Sequence, residues 1–289
     1  VGNKAAVFPL QLRGYDVDVI NSVQFSNHTG YRERFTGERL TGEQLLDLMD
    51  GMQRNDLLSQ ITHLLTGYAG SASFLSSLLE VLKRLRAVNA SLKFVCDPVL
   101  GDNGKFYVPR EILDVYKKEV VPRVDILTPN AFELGVLTGR DENWGSDVRT
   151  PEEIFAACDE LHSVGCGVVV VTSSQTTDPQ KIAAFASAAP TDASVHQRYE
   201  FLMRKIGSHF TGSGDLTAAL LLAHLDEYPE NATLEEACCR AFGTAAAVME
   251  RTHASPHRPT CTPMPELQLI ASRDAILDPP AHLVQSRSV

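Results

Sequence analysis

Hydrophobic positions along this chain follow two periods. Short apolar, β-branched runs bounded by turn residues recur at 17–23, 63–66, 93–96, 125–128 and 168–172. All but the first, which is half alternating, have the pattern of buried strands. Helical periodicity occupies 41–55, 71–89, 109–120, 130–137, 150–163, 212–225 and 234–251. The helix at 41–55 opens with a Thr41-x-x-Gln44 capping box. In the helix at 71–89, Phe74, Leu75, Leu78, Leu82 and Leu85 form one stripe. Residues 182–206 read as late strands, antiparallel to one another, interrupted by the small and polar stretch 187–194. The tail from Pro256 carries six prolines and is expected to be irregular.

Strands alternating with helices predict βαβ units. The expected fold is therefore α/β, a central, mainly parallel sheet flanked by helices on both faces, built as one domain over 1–289. Ligands in such sheets bind beyond the carboxyl ends of the strands. Thr66-Gly67-Tyr68, Asp97-Pro98, Thr128-Pro129-Asn130 and Thr172-Ser173-Ser174 all fall at such ends.

Composition narrows the classes. The chain has 26 Lys plus Arg against 36 Asp plus Glu, a net charge of −10, which argues against non-specific nucleic-acid or anionic-membrane binding while leaving room for a local basic pocket. No apolar run reaches transmembrane length and no secretory signal segment is visible. Cys96, Cys158, Cys166, Cys238, Cys239 and Cys261 make no C-x-x-C pair or zinc spacing, as expected for reduced thiols in a cytoplasmic protein.

The chemistry concentrates in a few motifs. Gly212-Ser213-Gly214-Asp215 opens the apolar run 216–225. If a helix starts there, its unpaired N–H groups favour an anion and Asp215 can take a proton from a hydroxyl. The competing reading is a glycine turn with Asp215 capping a core helix. No G-x-x-x-x-G-K-[ST] loop exists, so a kinase built on this chain needs other phosphate donors. Asp97 and Asp102 flank a strand end where two carboxylates suit Mg²⁺ or another divalent ion, or where Asp97-Pro98 simply closes the strand as a turn. Asn130-x-x-Glu133 matches helix capping, while Asn130 can also hold phosphate oxygens and Glu133 metal-bound water. The stretch 21–31 is dense in hydrogen-bonding side chains suited to a small polar ring compound. Met203, Ile206 and Phe210 offer an apolar slot for a purine, or plain core.

Taken in order, these blocks resemble the pyridoxal kinases of the ribokinase-like superfamily. The matching runs are GNKAAVFPLQ at 2–11, NSVQFSNHTGY at 21–31, LTGY at 65–68 and VCDPVLGD at 95–102, then YVP at 107–109, TPNAFE at 128–133, VTSS at 171–174 and GSGDLTAALLLA at 212–223. The resemblance implies ATP-dependent phosphorylation of the 5′-hydroxymethyl group of pyridoxal, pyridoxine and pyridoxamine. It implies Asp215 as general base, with Gly212, Ser213 and Gly214 as anion hole. Thr29, Val1, Val23, His28 and Tyr68 match vitamer-pocket positions. Asp97, Asn130, Glu133, Thr172 and Ser173 match the nucleotide and cation side, and Tyr107 the loop that covers ATP. Met203, Ile206, Phe210 and Thr211 match the adenine-side segment. Asp102 and Glu133 are the Mg²⁺ candidates, while Asp97, Thr128 and Thr172 lie near an activating K⁺ or Na⁺. A homodimer is implied as well.

Three departures stand out. The family's first strand, with a substrate-binding serine and a Gly-Tyr pair, is expected upstream of Val1. Ser213 replaces a commoner threonine, and 175–197 has little family character. Two other functions stay in view: a related kinase acting on a sugar or hydroxymethylpyrimidine, and a catalytically silent vitamer-binding or scaffolding protein. The 21–31 block speaks against the first, and the joint presence of Asp215, Asp97, Asp102, Asn130 and Glu133 against the second.

Overall fold

The computed structural model describes residues 1–189, 197–228, 231–255 and 264–289. In chain order its elements are α1 (Asn3–Leu12), β1 (Val23–Phe25), β2 (Gly37–Arg39), α2 (Gly42–Arg54), β3 (His63–Thr66), α3 (Ala72–Val88) and β4 (Lys93–Cys96). There follow β5 (Gly101–Asp102), β6 (Lys105–Phe106), α4 (Glu111–Val115), β7 (Ile126–Leu127), α5 (Ala131–Leu137), α6 (Pro151–Ser163) and β8 (Val168–Gln175). The last are β9 (Lys181–Ala188), β10 (Gln197–Arg204), α7 (Ser213–Leu225), α8 (Leu234–Ala254), α9 (Arg273–Leu277) and β11 (Gln285–Ser288).

The sheet is mixed, in the order β11-β10-β9-β8-β7-β4-β3. The chain divides into two compact units, one of Ile20–Gln24 and Glu38–Val171, the other of Val1–Val19, Phe25–Gly37 and Thr172–Val289. The first holds the parallel pairings: β3 with β4, β4 with β7, and β7 with the start of β8. Strands β4, β7 and the start of β8 are largely buried, with Phe94, Val95, Leu127, Val169 and Val170 fully covered, whereas β3, expected to be buried, is half-buried throughout. Its helices begin where the sequence signals them. Thr41, Asn130 and Thr150 each close a capping box, at α2, α5 and α6. The stripe Phe74, Leu75, Leu78, Leu82 and Leu85 is the buried face of α3.

In the second unit β9 and β10 run antiparallel, pairing Gln197 with Ala188 through Arg204 with Lys181. The antiparallel expectation for 182–206 is met there, although 190–196, within the predicted interruption, lies outside the described residues. Helix α8 covers β9, β10 and β11 and packs on α7, which packs on α1.

Two expectations need correction. The predicted strand at 17–23 does not form: 17–22 has no regular structure and only Val23–Phe25 pairs, with β2. Apolar alternation is not enough to make a strand here, where Asp16, Asp18 and Val19 stand exposed. The tail is not irregular over 264–289. Thr211 bridges Glu266, α9 buries Ala275 and Ile276, and β11 pairs antiparallel with β10. The start of that tail, 256–263, lies outside the described residues.

Candidate active site

Helix α7 is apolar all round and buried from Leu216 to Leu225, as a core helix should be. Its N-terminus is different. Gly212, the N-cap, takes a left-handed φ of 91°, and no side chain caps the helix. Beyond it Gly214 is exposed, with Ser213 and Asp215 half-buried. The first N–H groups of a helix have no intrahelical partner, so those of residues 213–215 form a cradle for an anion. A Cβ on Gly212 would crowd Ala5 and Val1, each 3.3 Å away, which is where α1 begins. The Ser213 hydroxyl turns back to the Phe210 carbonyl at 3.5 Å, so the cradle rests on backbone rather than on this side chain.

Asp215 projects from that first turn. Gly2 donates its N–H to Asp215 Oδ2 at 2.8 Å. Burial holds the Asp215 carboxyl above the ordinary aspartate range, and the Gly2 bond pulls the other way. A carboxylate with a raised pKa, anchored through one oxygen, is suited to proton abstraction.

The loop after β1 belongs to the same unit. His28 is buried and accepts from Gly30 N–H through Nδ1 at 3.1 Å, with its ring 4.5 Å from that of Tyr31. Burial lowers the His28 pKa, in keeping with Nδ1 accepting from Gly30. Thr29, next to it, is exposed. Glu266 pairs with Lys4 at 2.7 Å, and Thr211 N–H donates to the Pro265 carbonyl at 3.3 Å. This return of the chain at 264–266 was missed from the sequence, where a proline-rich tail gave no periodic signal. On the nucleotide candidates, Thr172 and Ser173 are half-buried within β8 rather than beyond its end, and Met203 is buried at the end of β10. Ile206 and Phe210 are half-buried. Thr211 Oγ1 and Ser174 Oγ are buried without a hydrogen-bond partner among the described residues, as groups awaiting a polar ligand are.

The other unit holds the carboxylate set. Asp97 is buried just past β4, its N–H donating to the Thr66 carbonyl at 2.8 Å. Thr128 is buried on the neighbouring strand end, its N–H donating to the Cys96 carbonyl at 3.0 Å. Glu133, also buried, accepts from Asn130 N–H through Oε2 at 2.9 Å and from Leu100 and Gly101 N–H through Oε1 at 2.9 and 3.4 Å. Burial pushes it up to about 7 despite these donors. Asn130 caps α5 by accepting from Glu133 N–H and donates to the Gly101 carbonyl at 2.8 Å.

That network anchors a hairpin that the apolar pattern does not reveal. The pair Asn103-Gly104, at φ 49° and 75°, turns β5 into β6. The signal was present: Asn-Gly between two short runs is a hairpin signature. Gly101 admits no side chain, since a Cβ would sit 2.1 Å from the Lys105 carbonyl oxygen. The hairpin carries Asp102, which accepts from Asn103 N–H and Nδ2 at 2.8 and 2.9 Å. Tyr107 follows it, 61% exposed, where a covering loop residue can close on a ligand. Tyr68 and Val23 are half-buried, and Ser22 Oγ donates to the Tyr68 carbonyl at 3.0 Å.

Among the described residues no three His, Cys, Asp or Glu side chains gather as a metal centre. A divalent ion here would draw on one or two carboxylates plus phosphate oxygens, the donor set Mg²⁺ prefers. Asp102, half-buried on the hairpin, fits as a ligand. Glu133 has both oxygens engaged by backbone N–H groups and fits only through water.

The phosphomethylpyrimidine kinase family model matches residues 11–254. The pyridoxal kinase of Arabidopsis thaliana is 46% identical over 291 residues, spanning 99% of this chain and 90% of that protein. The Homo sapiens pyridoxal kinase is 40% identical, covering 87% of this chain and 81% of its own. Among solved structures, pyridoxal kinase from Leishmania donovani in complex with ADP and pyridoxine superposes with a TM-score of 0.87 at 29% identity, over 100% of this chain and 94% of that one.

Proposed function

Because the chain belongs to the pyridoxal kinase family, we propose that Asp215 is the base that activates the 5′-hydroxymethyl group of a B6 vitamer toward ATP. The observation that carries this reading is the α7 N-terminus: an uncapped anion cradle with a raised-pKa carboxylate in its first turn. The hydroxyl gives its proton to Asp215 as its oxygen bonds to the γ-phosphorus. The bond from that phosphorus to the bridging oxygen breaks, and ADP leaves. Charge on the transferring oxygens is met by the N–H groups of Ser213, Gly214 and Asp215.

The remaining candidates take supporting roles. His28, Thr29, Val1, Val23 and Tyr68 receive the pyridine ring. Thr172, Ser173, Met203, Ile206, Phe210, Thr211, Asn130 and Tyr107 receive the nucleotide, which the orphaned Thr211 hydroxyl supports. Asp102 would hold Mg²⁺, with Glu133 reaching it through water, and that ion would offset phosphate charge. Asp97, Thr128 and Thr172 would attend a monovalent ion. Residues 1–289 act as one kinase domain, as a homodimer in the cytoplasm. Cys96, Cys158, Cys166, Cys238 and Cys239 as free thiols are in keeping with that compartment.

A substrate panel tests the reading. ATP-dependent phosphate transfer to pyridoxal, pyridoxine and pyridoxamine is expected to exceed transfer to hydroxymethylpyrimidine. The family model's description favours the pyrimidine as the second reading. A pyrimidine preferred over all three vitamers would establish that second reading instead.

A further inference from the structure

The N-termini of two helices of one unit meet at Asp215. Helix α7 supplies the turn on which the residue sits, and α1 begins beside it, packed along α7. Gly2 is the N-cap of α1, and its carbonyl accepts from Ala5 and Ala6 N–H at 2.8 and 3.2 Å. Its backbone sits at φ 59°, ψ −135°, a conformation open essentially to glycine alone. With this twist the carbonyl enters the helix while the N–H turns outward to Asp215 Oδ2, 2.8 Å away. No other described group donates to that carboxylate, so Oδ1 is left for an incoming hydroxyl.

We propose that the backbone N–H of Gly2 is a positioning group for the reaction. It fixes the rotation of the Asp215 carboxylate, directs Oδ1 at the acceptor hydroxyl and stabilises the ionised base before substrate arrives. The proposal rests on Asp215 being the base. Its physical content is a charge-assisted hydrogen bond to the carboxylate form, which favours ionisation and fixes geometry together. Glycine at position 2 is then required for the direction of its N–H and not for lack of space, because a Cβ there would meet nothing within 4 Å.

Gly2→Ala tests this against Gly14→Ala. Gly14 also has a positive φ, 92°, and a Cβ there would likewise meet nothing within 4 Å, so alanine carries similar backbone strain without touching Asp215. Loss of the Gly2 bond should raise the apparent pKa of the acid limb of kcat/KM by about one unit. It should lower kcat near that limb by roughly tenfold, with the rate recovering as pH rises. Gly14→Ala should leave the limb where it is. If Gly2→Ala does not fold, glycolate introduced in place of Gly2 by nonsense suppression removes the N–H and keeps the conformation. The same shift should appear at the Asp215 carboxyl carbon by ¹³C NMR titration without substrate. An unmoved carboxyl titration in these variants overturns the proposal. Absence of vitamer turnover in the unsubstituted enzyme would instead overturn the kinase reading, with the NMR titration still deciding the role of Gly2.

Discussion

Asp215 and Glu133 are both acids raised by burial, but the chain holds them in opposite ways. Glu133 is gripped at both oxygens by three backbone N–H groups, and its own N–H is capped by Asn130. Among the described residues Asp215 has one donor, Gly2, and one oxygen to spare. Full satisfaction of Glu133 fastens α5 to the β5–β6 hairpin. Partial satisfaction of Asp215 leaves it able to exchange a proton. A displaced pKa therefore does not by itself mark a base, whereas an unused acceptor position leaves room for a proton to be taken.

Substitutions put that contrast under load. Asp215→Asn keeps an oxygen for Gly2 but removes the base, so kcat for pyridoxal should fall by ~10²–10⁴-fold while ATP and pyridoxal still bind, as read by steady-state kinetics and calorimetry. Glu133→Ala strands three backbone N–H groups and should destabilise the fold by roughly 3 kcal/mol in denaturant titration. Asn130→Ala loses the α5 cap and the bond to the Gly101 carbonyl, for about 1–2 kcal/mol.

The mildest consequence lies in pH. Folded Glu133 keeps its proton up to about 7, whereas the unfolded residue loses it near ~4.3. Between those values the unfolded state binds fewer protons, so this group's contribution to stability declines as pH rises across the window and is level above it. Glu133→Gln should remove that decline, seen as a flatter melting temperature between roughly pH 5 and 7. An unchanged slope would assign it to other groups.

The same division runs through what the sequence made legible. Elements driven by local signals were readable: the Thr41, Asn130 and Thr150 caps start α2, α5 and α6, and the α3 stripe is its buried face. The parallel strands at 63–66 and 93–96 stand where their apolar runs placed them. Features that depend on distant partners were not. Helix α1 has no side-chain cap and contains Pro9, so nothing local announced it. The strand expected at 17–23 does not form, and β11 is a polar, exposed strand defined by pairing with β10. At the candidate site the sequence offers side-chain candidates such as Asp215, which the structure places in the first turn of α7. The Gly2 amide was not among them, because a backbone N–H leaves no mark on residue identity beyond the glycine itself.

Whether Asp215 is the base is decided by the pH dependence of kcat/KM for pyridoxal, measured side by side in the unsubstituted enzyme and in Asp215→Asn. Activity should fall as pH drops through a pKa above the ordinary aspartate range, and Asp215→Asn should lose both that acid limb and the rate. An Asp215→Asn enzyme that keeps the limb and its rate would show that the proton goes elsewhere.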